Sequence, residues 1–488
     1  MPAEPDVPTA LGQLAERTAL VRALALRLGA RVLETHISWI LLTPAFAFKV
    51  KKPVRFAFLD YTTLPRRRHF CHEEVRVNQR TAPSLYLGVA RITGDPSAPE
   101  IDGAGLVLDY AVRMRRFADG ALFSERLAAG VLSVRDVDAF AALLAAAHAA
   151  APVRRRAPAA QSSKLTRALS ALDGARPLLS AAELNHLNEW LEAGARELWP
   201  EWIERRRKGR IRECHGDLHL DNIVDLDGHP AAFDAIDFEP ALRWIDIAED
   251  TAFPVMDFAA RGRPDFAWRF LNEWLDATGE HEAAGVLRYA LVYRALVRAQ
   301  VELLRAPSGN AAASYARAAL GWSHPVPPCL VITHGLPGSG KTFQSQRLLE
   351  QVGAIRVRAD VERKRLFGLG ALESSHARGL DIYTREATTS TYARLFALAR
   401  VLLAAGFSVV IDAAFLKRGE RDAARELART CAARFEILAC QAPDEILQQR
   451  IAARTSDASE ADTAVLRQLR AVMDPLGPDE EIRRSACD

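Results

Sequence analysis

The chain has 488 residues, with 64 Lys or Arg against 61 Asp or Glu, a net charge of +3, 49% hydrophobic and 26% charged residues. That length and balance suit two or three globular cores, exclude wholesale disorder, and give no reason to expect a general nucleic-acid coat. No apolar run reaches the roughly 18 residues of a membrane span: His148 and Arg400 interrupt the best candidates, 139–153 and 396–411. MPAEPDVPTA lacks the basic start of a secretory signal, and the six cysteines (71, 214, 329, 431, 440, 487) form no CxxC pair, so neither a disulfide framework nor a zinc site is indicated. A cytoplasmic protein with no membrane partner is expected.

In chain order, residues 11–30 carry helical apolar spacing. THISWILLTPAFAFKVK then reads as a hairpin of two strands around a Thr43-Pro44 turn. Residues 62–81 read as a helix capped by Thr62 or Thr63, 85–93 and 105–114 as strands, and 121–200 as mostly helix. Strands return at 222–239 around the DLDG turn of 225–228, and 241–322 is helical again. HPVPP at 324–328 is a linker, because successive prolines forbid a continuing helix. Beyond it, CLVITH (329–334), AIRVRAD and FSVVIDAAF (407–415) alternate with helices, which predicts a doubly wound α/β domain. Arginine runs at 66–68, 154–156 and 205–207 read as solvated helix ends.

Only eight of the basic residues are lysine, at 49, 51, 52, 164, 208, 341, 364 and 417. A compact ammonium on a thin stem fits beside phosphates in tight loops, so these positions merit inspection. Lys341 falls in Gly335-Leu336-Pro337-Gly338-Ser339-Gly340-Lys341-Thr342, the GxxxxGK[ST] loop between a strand and a helix. Glycines let backbone N–H groups curl around phosphate oxygens and the helix N-terminus adds its dipole. Lys341 then reaches the β- and γ-phosphates and Thr342 ligates magnesium. Asp412, at the end of VVID, is placed to hold a magnesium-bound water, or is an ordinary strand-end aspartate. Asp360 either takes a proton from an acceptor hydroxyl or caps a helix over 361–367. Arg450 and Arg454, four apart, form a lid over the phosphates or a solvated helix face.

A second constellation precedes the linker. His215-Gly216-Asp217-Leu218-His219-Leu220-Asp221-Asn222 has HxDxxxxN spacing, with Asp217 to orient an acceptor hydroxyl and Asn222 to reach a metal. Asp237, in Ile236-Asp237-Phe238-Glu239, is the metal-chelating strand-end aspartate, and Asp234 competes for that role. Ala47-Phe48-Lys49 has the A-x-K form of the lysine that pairs the α- and β-phosphates, with Lys51 on the same strand face as the fallback. Glu74, on a helix over 66–80, is its expected ion-pair partner, with Glu73 as the alternative. The hairpin tip is Thr43-Pro44-Ala45 where a Gly-rich loop would otherwise cover phosphates.

GLPGSGKT, the RADxxRK segment, VVIDAAF and the late arginines together resemble the small P-loop kinases, among them polynucleotide 5′-kinases and gluconate-kinase-like and zeta-toxin-like proteins. The resemblance covers about 160 residues. It implies transfer of the ATP γ-phosphate to a hydroxyl, with Asp360 in the base position. HGDLHLDNI, IDFEP and WIDIAED, within about 31–260, resemble the aminoglycoside phosphotransferase and choline-kinase-like family. That family has a bilobal kinase fold and acts on small-molecule hydroxyls. The whole chain looks like bacterial two-domain proteins that pair such a domain with a P-loop kinase domain.

The expected organisation is a multidomain α/β chain. A bilobal, protein-kinase-like (α+β) domain covers 1–323, with an N-lobe at about 31–113 and a C-lobe at about 114–323, and a doubly wound P-loop domain covers 329–488. The expected activity is ATP-dependent phosphotransfer at two Mg2+-ATP sites to small-molecule acceptors, with nucleic-acid ends as a further acceptor for the P-loop domain. The competing expectation is a regulatory protein in which a degenerate kinase-like domain senses a ligand for one P-loop enzyme.

Overall fold

The computed structural model describes residues 10–56, 59–155, 161–306, 309–324, 326–453, 458–460, 463–480 and 482–484. Arg454, Pro325 of the linker, Arg156 and Cys487 lie outside the described residues. The chain packs as two compact units. One comprises Met1–Arg156 with Arg206–Asp250, the other Ala157–Arg205 with Thr251–Asp488.

The first unit is built on a six-stranded antiparallel sheet in the order Arg31–Glu34, Ser38–Leu42, Phe46–Lys51, Val107–Arg115, Tyr86–Asp95, Ala98–Ile101. The expected hairpin forms with Ile40 opposite Lys49, and Thr43 closes its tip by accepting from Phe46 N–H and donating to Phe46 O. Side chains alternate across a strand. Phe48 and Val50 therefore enter the core that helix Ala10–Leu28 makes with Trp39 and Leu41, while Lys49 and Lys51 emerge on the opposite face. That face is covered by helix Leu64–Asn78, which starts at Thr63 with the side chain accepting from Arg66 N–H.

Two expectations on this unit need correction. Arg67, in the first arginine run, is not solvated: it is buried, pairs with Asp109 at 2.9 Å and donates to Tyr61 O and Thr62 O. Arg205, in the third run, belongs to the second unit and is buried there as well. A run of like charges is legible locally, whereas its counter-ion 42 residues away is not. The hairpin Ile223–Leu226/His229–Ala232 turns at Asp227-Gly228, both with positive φ as a two-residue turn requires. It stops at Ala232 instead of 239, because Asp234 adopts φ 60 and takes the chain off the ladder.

The second unit combines helices Gln161–Ala175, Ala181–Glu197, Pro264–Thr278, Ala284–Arg305 and Asn310–Ser323 with a five-stranded parallel sheet. The sheet order is Ala354–Arg358, Ser408–Asp412, Cys329–His334, Arg434–Ala439, Ile482–Arg484. Strand order reverses at Cys329–His334, the switch point where such sheets bind ligands at their carboxyl ends. Among the described residues no helix is long and apolar enough to cross a membrane.

Strand Ala354–Arg358 is an edge, and Asn272 from helix Pro264–Thr278 closes it. The side chain donates to Ala354 O at 2.9 Å and accepts from Arg356 N–H at 2.6 Å. Asn272→Ala leaves that buried N–H unpaired and should cost about 1–3 kcal/mol. Chemical denaturation of the full chain reads this as an earlier midpoint. An unchanged midpoint would show that the helix does not support the sheet.

Candidate active sites

Two ammonium groups dominate the site of the first unit. Lys49 Nζ lies 2.9 Å from Glu74 Oε1 and 2.5 Å from Asp234 Oδ1. Lys51 Nζ lies 2.8 Å from Glu74 Oε2 and 2.5 Å from Asp237 Oδ2. One carboxylate thus bridges both lysines, and the second partner of each is one of the two competing aspartates. Burial alone would lower both ammoniums, but Asp234 and Glu74 for Lys49, and Asp237 and Glu74 for Lys51, push them well above the ordinary lysine value. Burial likewise opposes ionisation of Glu74, yet Lys49 and Lys51 hold it at about 2. Burial raises the Asp237 carboxyl above its ordinary value despite Lys51, and Glu74 adds to the rise.

The two aspartates differ in setting. Asp237 is buried in the Lys51 pair and takes a 3.3 Å hydrogen bond from Tyr61. Asp234 has a side chain 47% exposed and a backbone N–H that donates to Tyr86 Oη. Glu73 turns away from the lysines and pairs with Arg76 and Arg243, because consecutive helical residues do not share a face.

The loop carrying Asp217 is brought beside Asp234 through its neighbours. Asn222 donates from Nδ2 to Asp217 O at 2.9 Å, and its backbone carbonyl accepts from the N–H of Phe233, one residue before Asp234. His215 Nε2 meets Phe233 O at 2.8 Å. Asp250, the last residue of the WIDIAED motif, is fully buried and accepts from His215 N–H, Gly216 N–H and His148 Nε2. Asp217, Asn222, Asp234, Asp237, Lys49, Lys51 and Glu74 therefore form one connected set. The oxygen donors Asn222, Asp234 and Asp237 suit a hard cation such as Mg2+.

Sequence reasoning did not single out Arg243, which is buried and joins three parts of this site. It donates to Asp237 O at 3.0 Å, to Glu213 Oε1 at 2.9 Å and to Glu73 Oε2 at 2.9 Å. Glu213 also holds Arg76 and Arg80. No spacing rule could have found it, because its partners are spread over 170 residues.

In the second unit the loop Gly335–Thr342 leaves the central strand with Gly335, Gly338 and Gly340 at positive φ. A Cβ on Gly335 would lie 2.3 Å from Cys440 O and one on Gly338 would lie 2.8 Å from Leu447 O, so both positions demand glycine. Leu336, Pro337 and Ser339 complete the turn. The Ser339 hydroxyl is buried with no partner among the described residues. Lys341 and Thr342 open helix Lys341–Val352, and Lys341 Nζ donates to Leu336 O at 2.9 Å. Asp412 ends its strand as expected, buried, and takes a 3.3 Å bond from Ser345 Oγ.

A cavity of about 1000 Å³ adjoins this loop, lined by Lys341, Thr342, Asp360, Arg363, Asp412 and Arg450 among others. Asp360 is not a helix cap: the helix is Ala359–Leu366, preceded by Arg358, and Asp360 sits in its first turn at the cavity wall. Arg450 donates to Gly338 O at 3.2 Å from helix Asp444–Ala452. Arg363, one turn beyond Asp360, was not assigned a role from sequence. It is 7% exposed, donates to Ile382 O and Thr388 Oγ1, has no carboxylate partner among the described residues and leaves its Nε–H unbonded. A cradle that only glycine fits, an unpartnered hydroxyl, and a lysine and threonine at a helix N-terminus match a magnesium-bound nucleotide phosphate.

Comparison with known proteins adds the following. The "AAA domain" family model matches residues 330–476. Uncharacterized protein Rv2004c of Mycobacterium tuberculosis (strain ATCC 25618 / H37Rv) is 31% identical over 460 residues, which are 90% of this chain and 89% of that protein. Uncharacterized protein Mb2027c of Mycobacterium bovis (strain ATCC BAA-935 / AF2122/97) matches with the same values. Among solved structures, glucosamine kinase in complex with glucosamine, ADP and inorganic phosphate has a TM-score of 0.37 and 16% identity, covering 65% of this chain and 82% of its own. A gluconokinase from Sinorhizobium meliloti 1021 has a TM-score of 0.25 and 21% identity, covering 34% and 86%.

The Glu74 carboxyl, depressed from 4.5 to about 2, stabilises the fold fully above pH about 4.5, and that contribution is lost as pH falls toward 2. Glu74→Gln should therefore lower the melting temperature at pH 7 and reduce its fall between pH 4.5 and 2. An acid profile parallel to that of the wild type would mean that another group carries the transition.

Proposed function

The chain belongs to the family of the mycobacterial protein Rv2004c, and from that premise we propose that it is an ATP-dependent phosphotransferase with two Mg2+-ATP sites. The observation that carries the reading is the P-loop cavity, which Lys341, Thr342 and Asp412 line together with Asp360 and Arg363. Lys341 neutralises the transferring phosphate, Thr342 and Asp412 hold magnesium, and Asp360 orients the acceptor hydroxyl and takes its proton. Arg450 covers the phosphates. Phosphoryl transfer needs positioning and charge neutralisation, which these groups supply. A buried guanidinium without a carboxylate is costly, which supports a small acceptor whose anionic group completes Arg363.

At the other site Lys49 anchors ATP, Glu74 holds it in place, and Asp217 orients the acceptor. Asn222 and Asp234 hold magnesium. We take Asp234 over Asp237 because its carboxylate is half-exposed and set by a positive-φ residue, while Asp237 is the buried counter-ion of Lys51. We keep domain boundaries at 1–323 and 329–488 and a cytoplasmic setting. The second reading, a ligand-sensing first domain, is favoured by one observation: both lysines are already engaged by three carboxylates.

ADP release from Mg2+-ATP, with a pooled metabolite extract as acceptor source, tests the pair of sites. Lys341→Ala and Asp217→Asn should each remove a separate part of the turnover, by on the order of a hundredfold or more at the affected site. Loss of all turnover in Lys341→Ala with none in Asp217→Asn would leave the sensing reading in place. The metal assignment has its own outcome. Asp234→Asn should raise the Mg2+ concentration needed for Asp217-dependent turnover, whereas Asp237→Asn should chiefly destabilise, by up to about 3–5 kcal/mol, because it leaves the buried Lys51 to share the single Glu74 carboxylate with Lys49. The reverse pattern would exchange the two roles.

A further inference from the structure

Behind the Asp217 loop, His148, Cys214 and Asp250 present a ring nitrogen, a thiol sulfur and a carboxylate oxygen all within 4.8 Å of one another, and all three side chains are buried. They come from helix Val134–Ala150, the turn after strand Ile211–Glu213 and helix Ile247–Ala260. One further feature points to an occupant. A void of about 30 Å³ borders the three residues, and a single water or ion needs about 10–15 Å³.

We propose that this cluster is a binding site for a thiophilic divalent cation, zinc above all. One sulfur, one nitrogen and one oxygen, with a small void for water, is a donor set of zinc chemistry, and the thiol disfavours magnesium. On binding, Cys214 coordinates as thiolate and its proton passes to solvent. His148 exchanges its 3.1 Å contact with Asp250 for the metal. Asp250 is also the acceptor for His215 N–H and Gly216 N–H, so drawing its carboxylate toward an ion loosens the turn that carries Asp217. The ion thereby lowers phosphotransfer at that site. This consequence rests on the kinase reading of the first unit, but the binding itself does not.

The test uses the full chain in two measurements. One equivalent of Co2+ should produce the near-ultraviolet sulfur-to-metal charge-transfer absorption that oxygen-only magnesium sites do not give, and cadmium NMR of the wild type should report a mixed sulfur, nitrogen and oxygen ligand set. Cys214→Ala should abolish the absorption while keeping the far-ultraviolet circular dichroism, and Cys431→Ser should retain it. No charge-transfer band in the wild type, an oxygen-only cadmium signal, or a band that survives in Cys214→Ala would each overturn the site. The wild-type spectra decide the matter even if Cys214→Ala does not fold. Zinc should slow the Asp217-dependent part of ADP release at least severalfold in the wild type. If cobalt binds through Cys214 while no Asp217-dependent turnover exists, the metal site stands and the kinase reading of the first unit falls.

Discussion

Two ammonium groups on one buried strand face cannot persist without carboxylates beside them, and the arrangement of the first unit follows from that requirement. Glu74 answers it by giving one oxygen to each lysine. To do so, helix Leu64–Asn78 must lie across the sheet in a fixed rotation, which in turn sends Glu73 toward Arg243. The remaining charge on the lysines is met by Asp234 and Asp237, which commits the segment after the Asp227-Gly228 hairpin to a single path. A buried charge stripped of its partner costs several kcal/mol. The alternative placements of this helix and this segment are therefore excluded by electrostatics as much as by packing.

The second unit meets a similar demand by other means. Its phosphate-binding loop relies on backbone geometry: three positive-φ glycines, two of them pressed against carbonyl oxygens, lead into the N-terminus of helix Lys341–Val352. Lys341 and Thr342 open the helix that follows the loop, and Asp412 ends the neighbouring strand. Away from the cavity, Arg421 is buried and paired with Glu480 at 2.7 Å, whereas the buried Arg294 lies over the Phe253 ring. Arg363 lines the cavity with hydrogen bonds to carbonyl and hydroxyl oxygens and with no carboxylate in ion-pair contact among the described residues.

Lysine scarcity proved informative in a way that depends on neighbours. Lys341 occupies the phosphate loop, and Lys49 and Lys51 the bridged network. Lys364 is also buried, and it pairs at 3.0 Å with Glu460. Lys52 reaches Glu34 at 2.6 Å across the sheet. An ammonium can be surrounded by carboxylates from several directions, where a planar guanidinium demands a fork, and the Glu74 bridge uses that freedom.

The sequence by itself determined the elements and the chemistry that depends on close spacing. The strand alternation that puts Lys49 and Lys51 on one face, a threonine cap at 62 or 63, the turn at 225–228, the glycines of the phosphate loop and the HxDxxxxN run all act over fewer than ten residues, so local pattern reveals them. Tertiary structure alone decided which partner each of several equivalent carboxylates meets. Glu74 against Glu73 and Asp234 against Asp237 differ by one to three positions, and only the direction in which the folded helix and loop present them separates the pairs. It also decided that Arg67 is buried, that Asp250 braces the Asp217 turn, and that Cys214, without a CxxC partner, lies beside a histidine and an aspartate. These depend on charges and hydrogen bonds between segments tens to hundreds of residues apart. A one-dimensional pattern records the residue types for such contacts but not the distances that make them interact.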